Sequence, residues 1–203
     1  MTQRKYTSTD IEKALVNYTC AHSGFETKRD YISLSNISKT PQELVADYRK
    51  GYTTDEKGLL KCYKGYQMQI DLQVRLEEVF QKMGVDFSTD LDTLISELGT
   101  KDGLFKGHPD IMIDDKVPLD FKSVLMDEWI PENPTRISRK IKFQMNAYML
   151  FAESGISFVL YESRESGIIK CYCLHADKSI QREIEKTIAQ VRELLNTEKL
   201  QAA

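Results

Sequence analysis

Gly107-His108-Pro109-Asp110-Ile111-Met112-Ile113-Asp114-Asp115-Lys116-Val117-Pro118-Leu119-Asp120-Phe121-Lys122-Ser123 is the stretch whose reading decides the fold. It reads as a β-hairpin. Ile111 to Ile113 is a short apolar run, Asp114-Asp115-Lys116 a polar turn, and Val117 to Val124 resumes strand character. Asp120 and Lys122 are two apart, so on a strand they share one side of the sheet, while Leu119, Phe121 and Val124 suit an apolar face. Asp110 stands at the mouth of the first strand and converges on Asp120 if the two strands pair. Two carboxylates and one ammonium at a sheet edge suit a hard divalent cation. Mg²⁺ needs only one or two carboxylates when water and substrate phosphate fill its remaining positions, and Mn²⁺ is the natural substitute. The backbone carbonyl of Phe121 offers one more oxygen. Such a cation polarises a phosphoryl oxygen and acidifies a bound water, and Lys122 orients that water or neutralises charge on the phosphate. The competing reading is a solvated Asp–Lys pair on a surface hairpin.

Two further motifs stand in order around this pair. Gly107-His108-Pro109-Asp110 precedes the first strand, and Gln144-Met145-Asn146-Ala147-Tyr148 follows on a helix that starts at Pro134 and runs to about Glu153. Gln144 and Tyr148 are one turn apart and share a helix face. The first half of that helix carries Arg136, Arg139, Lys140 and Lys142 without an acid, a basic end fit to track a phosphate backbone.

Pro109-Asp110, Asp120-Phe121-Lys122 and Gln144 to Tyr148 together resemble the PD-(D/E)XK nuclease superfamily, within it the RecB-like and phage-type exonuclease branch. The resemblance covers roughly residues 60 to 175. It implies an α/β (α+β) restriction-endonuclease-like core, with a mixed central β-sheet flanked by helices. It also implies a Mg²⁺-dependent DNA nuclease of phage or bacterial recombination and repair, acting from DNA ends. Asp110, Asp120 and the Phe121 carbonyl would bind metal, and Lys122 would complete the catalytic set. Arg139, Lys140, Gln144 and Tyr148 would hold DNA or brace the site. His108, Ser123 and Trp129 are accessory candidates, Trp129 as a stacking surface for an unpaired base in the loop Met126–Asn133. In this superfamily the first core helix often supplies another acid; Glu77 lies on the side of Ile70 and Val74 and is the candidate, whereas Gln67 and Gln69 stand where relatives often carry His or Glu. A restriction or resolvase-type endonuclease, or a catalytically silent DNA-binding module, are the alternatives. DNA is the expected partner, and a single-strand annealing protein or a helicase the candidate protein partner; the residues set no oligomeric state.

Composition agrees with this class. The chain has 203 residues, 41% hydrophobic and 29% charged, with net charge −3, as expected of one soluble domain with a sizeable core. The acidic balance argues against a protein that coats nucleic acid non-specifically. No apolar run is long enough for a membrane helix, so a cytoplasmic location is expected. Cys20 and Cys62 are early and Cys171 and Cys173 late, unlike the one-plus-three spacing of the iron-sulfur relatives in this branch. Reduced thiols and no iron-sulfur cluster are expected.

The remaining elements frame that core. Residues 1–59 form an N-terminal extension outside the resemblance, 60–175 the nuclease core and 176–203 a C-terminal helix. A helix opens with the capping box at Thr9 to Glu12 and stops near Ser23-Gly24. An extended segment follows at Tyr31–Ile37, then a helix from Pro41 to Lys50. Lys64-Gly65-Tyr66 leads into a helix ending at Gly84, with Asp71, Arg75, Glu78 and Lys82 as a solvent-facing charge series. A connecting helix is expected over Phe87–Leu98, a strand from Leu104, a hairpin over Ile156–Tyr161 and Ile168–Leu174, and a final helix capped by Asp177.

Overall fold

The computed structural model describes residues 8–21, 29–51, 54–89 and 97–201. Its elements in chain order are α1 (Ser8–Ala21), β1 (Ile32–Ser33), α2 (Pro41–Lys50), α3 (Glu56–Met83), β2 (Phe87–Thr89), β3 (Leu98–Gly99), β4 (Phe105–Gly107), β5 (Ile111–Ile113), β6 (Val117–Val124), α4 (Arg139–Phe151), β7 (Ile156–Ser163), β8 (Ile169–His175) and α5 (Lys178–Gln201).

The long strand β6 sits at the centre of the sheet, between β5 and β7, with Leu119 and Phe121 on its apolar face and Asp120 and Lys122 on the other. Leu119 and Phe121 join Ile111, Leu160 and Leu72 in one cluster, under Met68, Leu76 and Phe80 of α3. On the opposite face, Val159, Tyr161, Tyr172 and Leu174 pack with Phe143, Met145 and Tyr148 of α4 and Ile184, Ile188 and Val191 of α5. The sheet order is β2-β5-β6-β7-β8. β5 and β6 are antiparallel, β6 and β7 parallel, β7 and β8 antiparallel. This is the mixed sheet flanked by helices that the sequence implied. The β5–β6 turn places Asp114 and Asp115 at φ 50° and 53°, a left-handed region that Asp tolerates better than most residues.

A second sheet, β1-β4-β3, stands beside the first. β1 pairs in parallel with β4, Ile32 opposite Phe105, so the segment after α1 is tied to the strand that delivers Gly107 and His108. Thr40 caps α2 through a reciprocal box, accepting from Glu43 N at 3.3 Å while Glu43 Oε2 accepts from Thr40 N at 2.9 Å. Asp177 caps α5 through Ser179 N at 2.8 Å.

Three local expectations are corrected. α3 begins at Glu56, capped by Asp55, so Gly65 lies within the helix rather than ahead of it. Both ends of the expected helix over Phe87–Leu98 are strands: β2 pairs with β5 and β3 with β4. Sheet pairing outweighs helical periodicity there, and residues 90–96 lie outside the described residues. Pro134–Arg136 is a separate 3-10 turn, and α4 starts only at Arg139 with Ser138 as its cap. The exposed charge series on α3 forms the expected i,i+4 pairs Asp71–Arg75 and Glu78–Lys82, and Arg75 has a further partner: its Nη2 also donates to both oxygens of Glu162 at 3.0 and 2.8 Å, and Glu162 is only 8% exposed. The pair fastens α3 to β7. The helix stop expected at Ser23-Gly24 falls outside the described residues. Among the described residues no helix is long and apolar enough to cross a membrane.

Candidate active site

β5 is three residues long and β6 eight, so beyond Leu119 the edge of β6 on the β5 side is open. Leu119 and Val117 pair with Ile111 and Ile113, while Pro118, opposite Met112, has no N–H to give. Backbone direction alternates with period two, so the N–H and carbonyl of Phe121 both point to that open edge. Asp110, just before β5, meets it there: its Oδ2 accepts from Phe121 N at 2.6 Å. Its Oδ1 accepts from Gln69 Nε2 at 2.7 Å, and Gln73 Nε2 donates to its backbone carbonyl at 2.9 Å. The carboxylate is thereby fixed from both sides.

Asp120 projects from the opposite face of β6 to Phe121 and is 3% exposed. Its Oδ1 accepts from Gln144 Nε2 at 3.1 Å, and Gln144 also donates to Tyr148 Oη at 3.0 Å. Tyr148 in turn donates to the His108 carbonyl at 3.2 Å. Gln144 and Tyr148 are 4% and 2% exposed, so the Gln-x-x-x-Tyr motif braces Asp120 and the His108 backbone. Of the two roles the resemblance implies for this pair, the contacts present are those of a brace. Burial first, then the Asp120 charge, holds the Tyr148 phenol well above its ordinary pKa, which keeps the donating proton in place. Gly107 is required by the same packing: a Cβ there would lie 2.6 Å from Tyr148 Cε1.

Lys122 Nζ forms an ion pair with Asp120 Oδ2; that oxygen is buried and accepts no well-formed hydrogen bond. Burial by itself lowers the pKa of the Lys122 ammonium, but the charges of Asp120 and Asp110 outweigh it and raise the value. Among the described residues no three or more His, Cys, Asp or Glu side chains gather as a metal cluster. The donor set is instead two carboxylates and the Phe121 carbonyl direction. An under-bonded buried carboxylate oxygen fits a hard cation that keeps several waters better than a soft transition metal.

The other predicted residues divide. His108 is exposed and lines the same cavity, its ring 6.4 Å from that of Tyr31 in an edge-on contact. Lys140 is close enough to Lys122 that burial, then the charges of Lys122 and Lys39, lowers its pKa. Arg139 is exposed outside the cavity lining, pairing with Glu183 of α5 and covering the Phe143 ring at 4.4 Å. Glu77 is exposed and lines no part of the cavity; Gln69 and Gln73 hold the helix side of the site instead. Ser123 points to the α3 face, where its Oγ accepts from Arg164 Nε at 2.5 Å. Trp129 is 53% exposed on a 3-10 turn outside the cavity lining. The cysteines are free thiols on α1, α3 and β8.

The cavity, about 320 Å³, has a wall no motif announced: Arg29, Tyr31, Ser33 and Ser35 stand opposite Asp110, Asp120 and Lys122. Only the parallel pairing of β1 with β4 brings them there. Gln69 and Gln73 had a legible signal, since they are one turn apart beside Leu72 and Leu76.

No protein-family model matches the sequence, and no curated protein matches it. Solved structures do resemble it. SSO0001 is 18% identical, with TM-score 0.52, over 88% of this chain and 85% of that one. The alkaline exonuclease LHK-Exo of Laribacter hongkongensis is 12% identical, with TM-score 0.53, over 92% of this chain and 99% of its own, and its complex with dAMP aligns equally well. A phage-related exonuclease of Haemophilus somnus 129PT is 13% identical, with TM-score 0.50, over 85% of this chain and 96% of that one. The chain therefore shares the mixed α/β fold of these solved structures.

Proposed function

We propose that the protein is a Mg²⁺-dependent deoxyribonuclease that degrades DNA from ends, in recombination or repair. The observation that carries this reading is the convergence of Asp110, Asp120 and the Phe121 backbone on the open edge of β6, with Lys122 beside them. The likeness of the fold to exonucleases, one of them solved with dAMP, supports it.

Asp110, Asp120 and the Phe121 carbonyl would hold the cation, which supplies Lewis acidity toward a phosphoryl oxygen and a more acidic water. Lys122 presents a fixed ammonium to the negative charge that grows on the phosphate during attack. Gln144 fixes the Asp120 carboxylate, and Gln69 that of Asp110, so neither must reorient when substrate enters. Arg29, with the hydroxyls of Ser33 and Ser35, forms the facing polar wall, chemistry suited to a second phosphate oxygen or a terminal phosphate. Lys140 adds positive charge beside Lys122, and Arg139, exposed at the same end of α4 though paired with Glu183, would add a second cation for an approaching strand.

The test is degradation of end-labelled linear single- and double-stranded DNA beside closed circular DNA, with Mg²⁺, Mn²⁺ or EDTA. Metal-dependent loss of linear DNA alone is expected, falling at least a hundredfold in Lys122→Ala and Asp120→Asn. Nicking of the circle would reassign the protein as an endonuclease. Binding without cleavage under any metal would make it a silent module.

A further inference from the structure

The active-site cavity is not the only concave surface near β6. On the other face of the strand, α3 and the β7–β8 turn enclose a cavity of about 450 Å³ lined by Tyr63, Lys64, Gln67, Met68 and Arg164. It is large enough for a nucleobase and offers an aromatic ring, a thioether and amide and cationic groups. Its wall is rigid. Arg164 Nε donates to Ser123 Oγ at 2.5 Å, and that hydroxyl contacts Met68 Sδ at 3.3 Å. Arg75 occupies both oxygens of Glu162 at the far side, which leaves Arg164 and Lys64 as the cations at the rim. The helix passes close to this arginine: a Cβ on Gly65 would stand 3.9 Å from Arg164 Nη2.

A row of cations leads to this cavity. Lys57, Lys61 and Lys64 are exposed and spaced four and three residues apart, one stripe of α3. None of the three pairs with a described acidic side chain. Between Glu56 and Asp71 the helix carries no acid, and the acid that lines the cavity, Glu162, is held by Arg75. Because Met68 lies against Ser123, these lysines overhang the carboxyl end of β6, by about 6 Å for Lys64 and about 16 Å for Lys57 along the helix axis. Lys140 approaches Lys122 from the other face. Two cationic surfaces therefore flank the end of the strand that carries the site.

We propose that the α3 cavity and its lysine row bind a single-stranded stretch of the nucleic acid, with one base against Tyr63 and Met68 and successive phosphates on Arg164, Lys64, Lys61 and Lys57. The assignment rests on the nuclease reading. It accounts for the pairing of a basic track with an aromatic-lined pocket, the combination that grips unpaired strands by charge and stacking.

The experiment is equilibrium binding of a fluorescent single-stranded oligonucleotide and of a blunt duplex across a salt series in EDTA. The triple variant Lys57→Gln, Lys61→Gln, Lys64→Gln changes only exposed side chains and is expected to keep the wild-type melting temperature. Its slope of log K against log salt for the single strand should fall by about 2, from roughly 0.7 per phosphate contact. Tyr63→Ala should weaken single-strand binding about tenfold while Tyr63→Phe retains it. An unchanged slope in a protein whose wild type binds DNA overturns the site and leaves the nuclease reading standing. Equal slope losses for single strand and duplex, with no effect of Tyr63→Ala, overturn the single-strand assignment. A wild-type protein that binds neither DNA overturns this site and the nuclease reading together.

Discussion

Tyr148→Phe isolates the brace behind β6 and Asp120. The substitution keeps the ring, so the packing of a residue 2% exposed is preserved and only the hydroxyl is lost. That hydroxyl accepts from Gln144 Nε2 at 3.0 Å and donates to the His108 carbonyl at 3.2 Å. Two hydrogen bonds at about 1 kcal/mol each give a loss near 2 kcal/mol, and a buried amide proton left without a partner can raise it toward 3. For a chain of this size each kcal/mol moves the melting midpoint by roughly 2–4 °C, so a fall of roughly 4–8 °C is expected by calorimetry or circular dichroism. The same change frees Gln144 to rotate and loosens Asp120, whose Oδ1 it holds. Cleavage by the variant should therefore fall about tenfold in kcat with little change in KM, since the brace positions a carboxylate and does not touch substrate. A midpoint within about 1 °C of wild type, together with unaltered kcat, would refute the brace. A loss confined to KM would instead assign Tyr148 to substrate contact.

Gly107→Ala forces a methyl against the Tyr148 ring and the Leu34 side chain; overpacking of about 1–3 kcal/mol is expected in urea unfolding, and a neutral result would mean the strand can shift. Arg75→Met strands the Glu162 carboxylate at 8% exposure; because Arg75 is itself 43% exposed, a loss of about 1–3 kcal/mol is expected at pH 7, and Arg75→Met with Glu162→Gln should recover part of it. Asp102 ties the turn before β4 to α5: hydrogen bonds from Thr100, then from Arg192, lower its pKa from 3.8 to about 2. A depressed carboxylate contributes stability above its unfolded value that is lost as pH falls toward the folded one. The stability gap between wild type and Asp102→Asn should therefore be full at pH 6 and shrink between about pH 4 and pH 2; a gap independent of pH would discard the ionic explanation.

The site residues that the sequence made legible are those fixed by local period. Asp120 and Lys122 alternate with Leu119 and Phe121 on one strand, and Gln144 and Tyr148 recur at one helical turn, so both pairs could be placed on a face before any contact was known. The β7–β8 hairpin and α5 were legible for the same reason, through turn residues and a helical apolar stripe. What each face meets is a different matter. That Gln144 meets Asp120 and Arg139 meets Glu183 follows only from how α4 packs against β6 and α5. On α3 the side of Ile70 and Val74 makes Glu77 the candidate ligand, whereas the helix rotation set by Leu72 and Leu76 turns Gln69 and Gln73 to Asp110. The strands at Phe87–Thr89 and Ile32–Ser33 acquire their identity from partners far along the chain. Two or three residues carry too little period to declare a strand alone. The hairpin's chemistry was thus written into its own sequence, because adjacent residues fix it. The wall of Arg29, Tyr31, Ser33 and Ser35, and the arms that hold both carboxylates, exist only once non-local pairing and helix packing bring distant segments to one edge of β6.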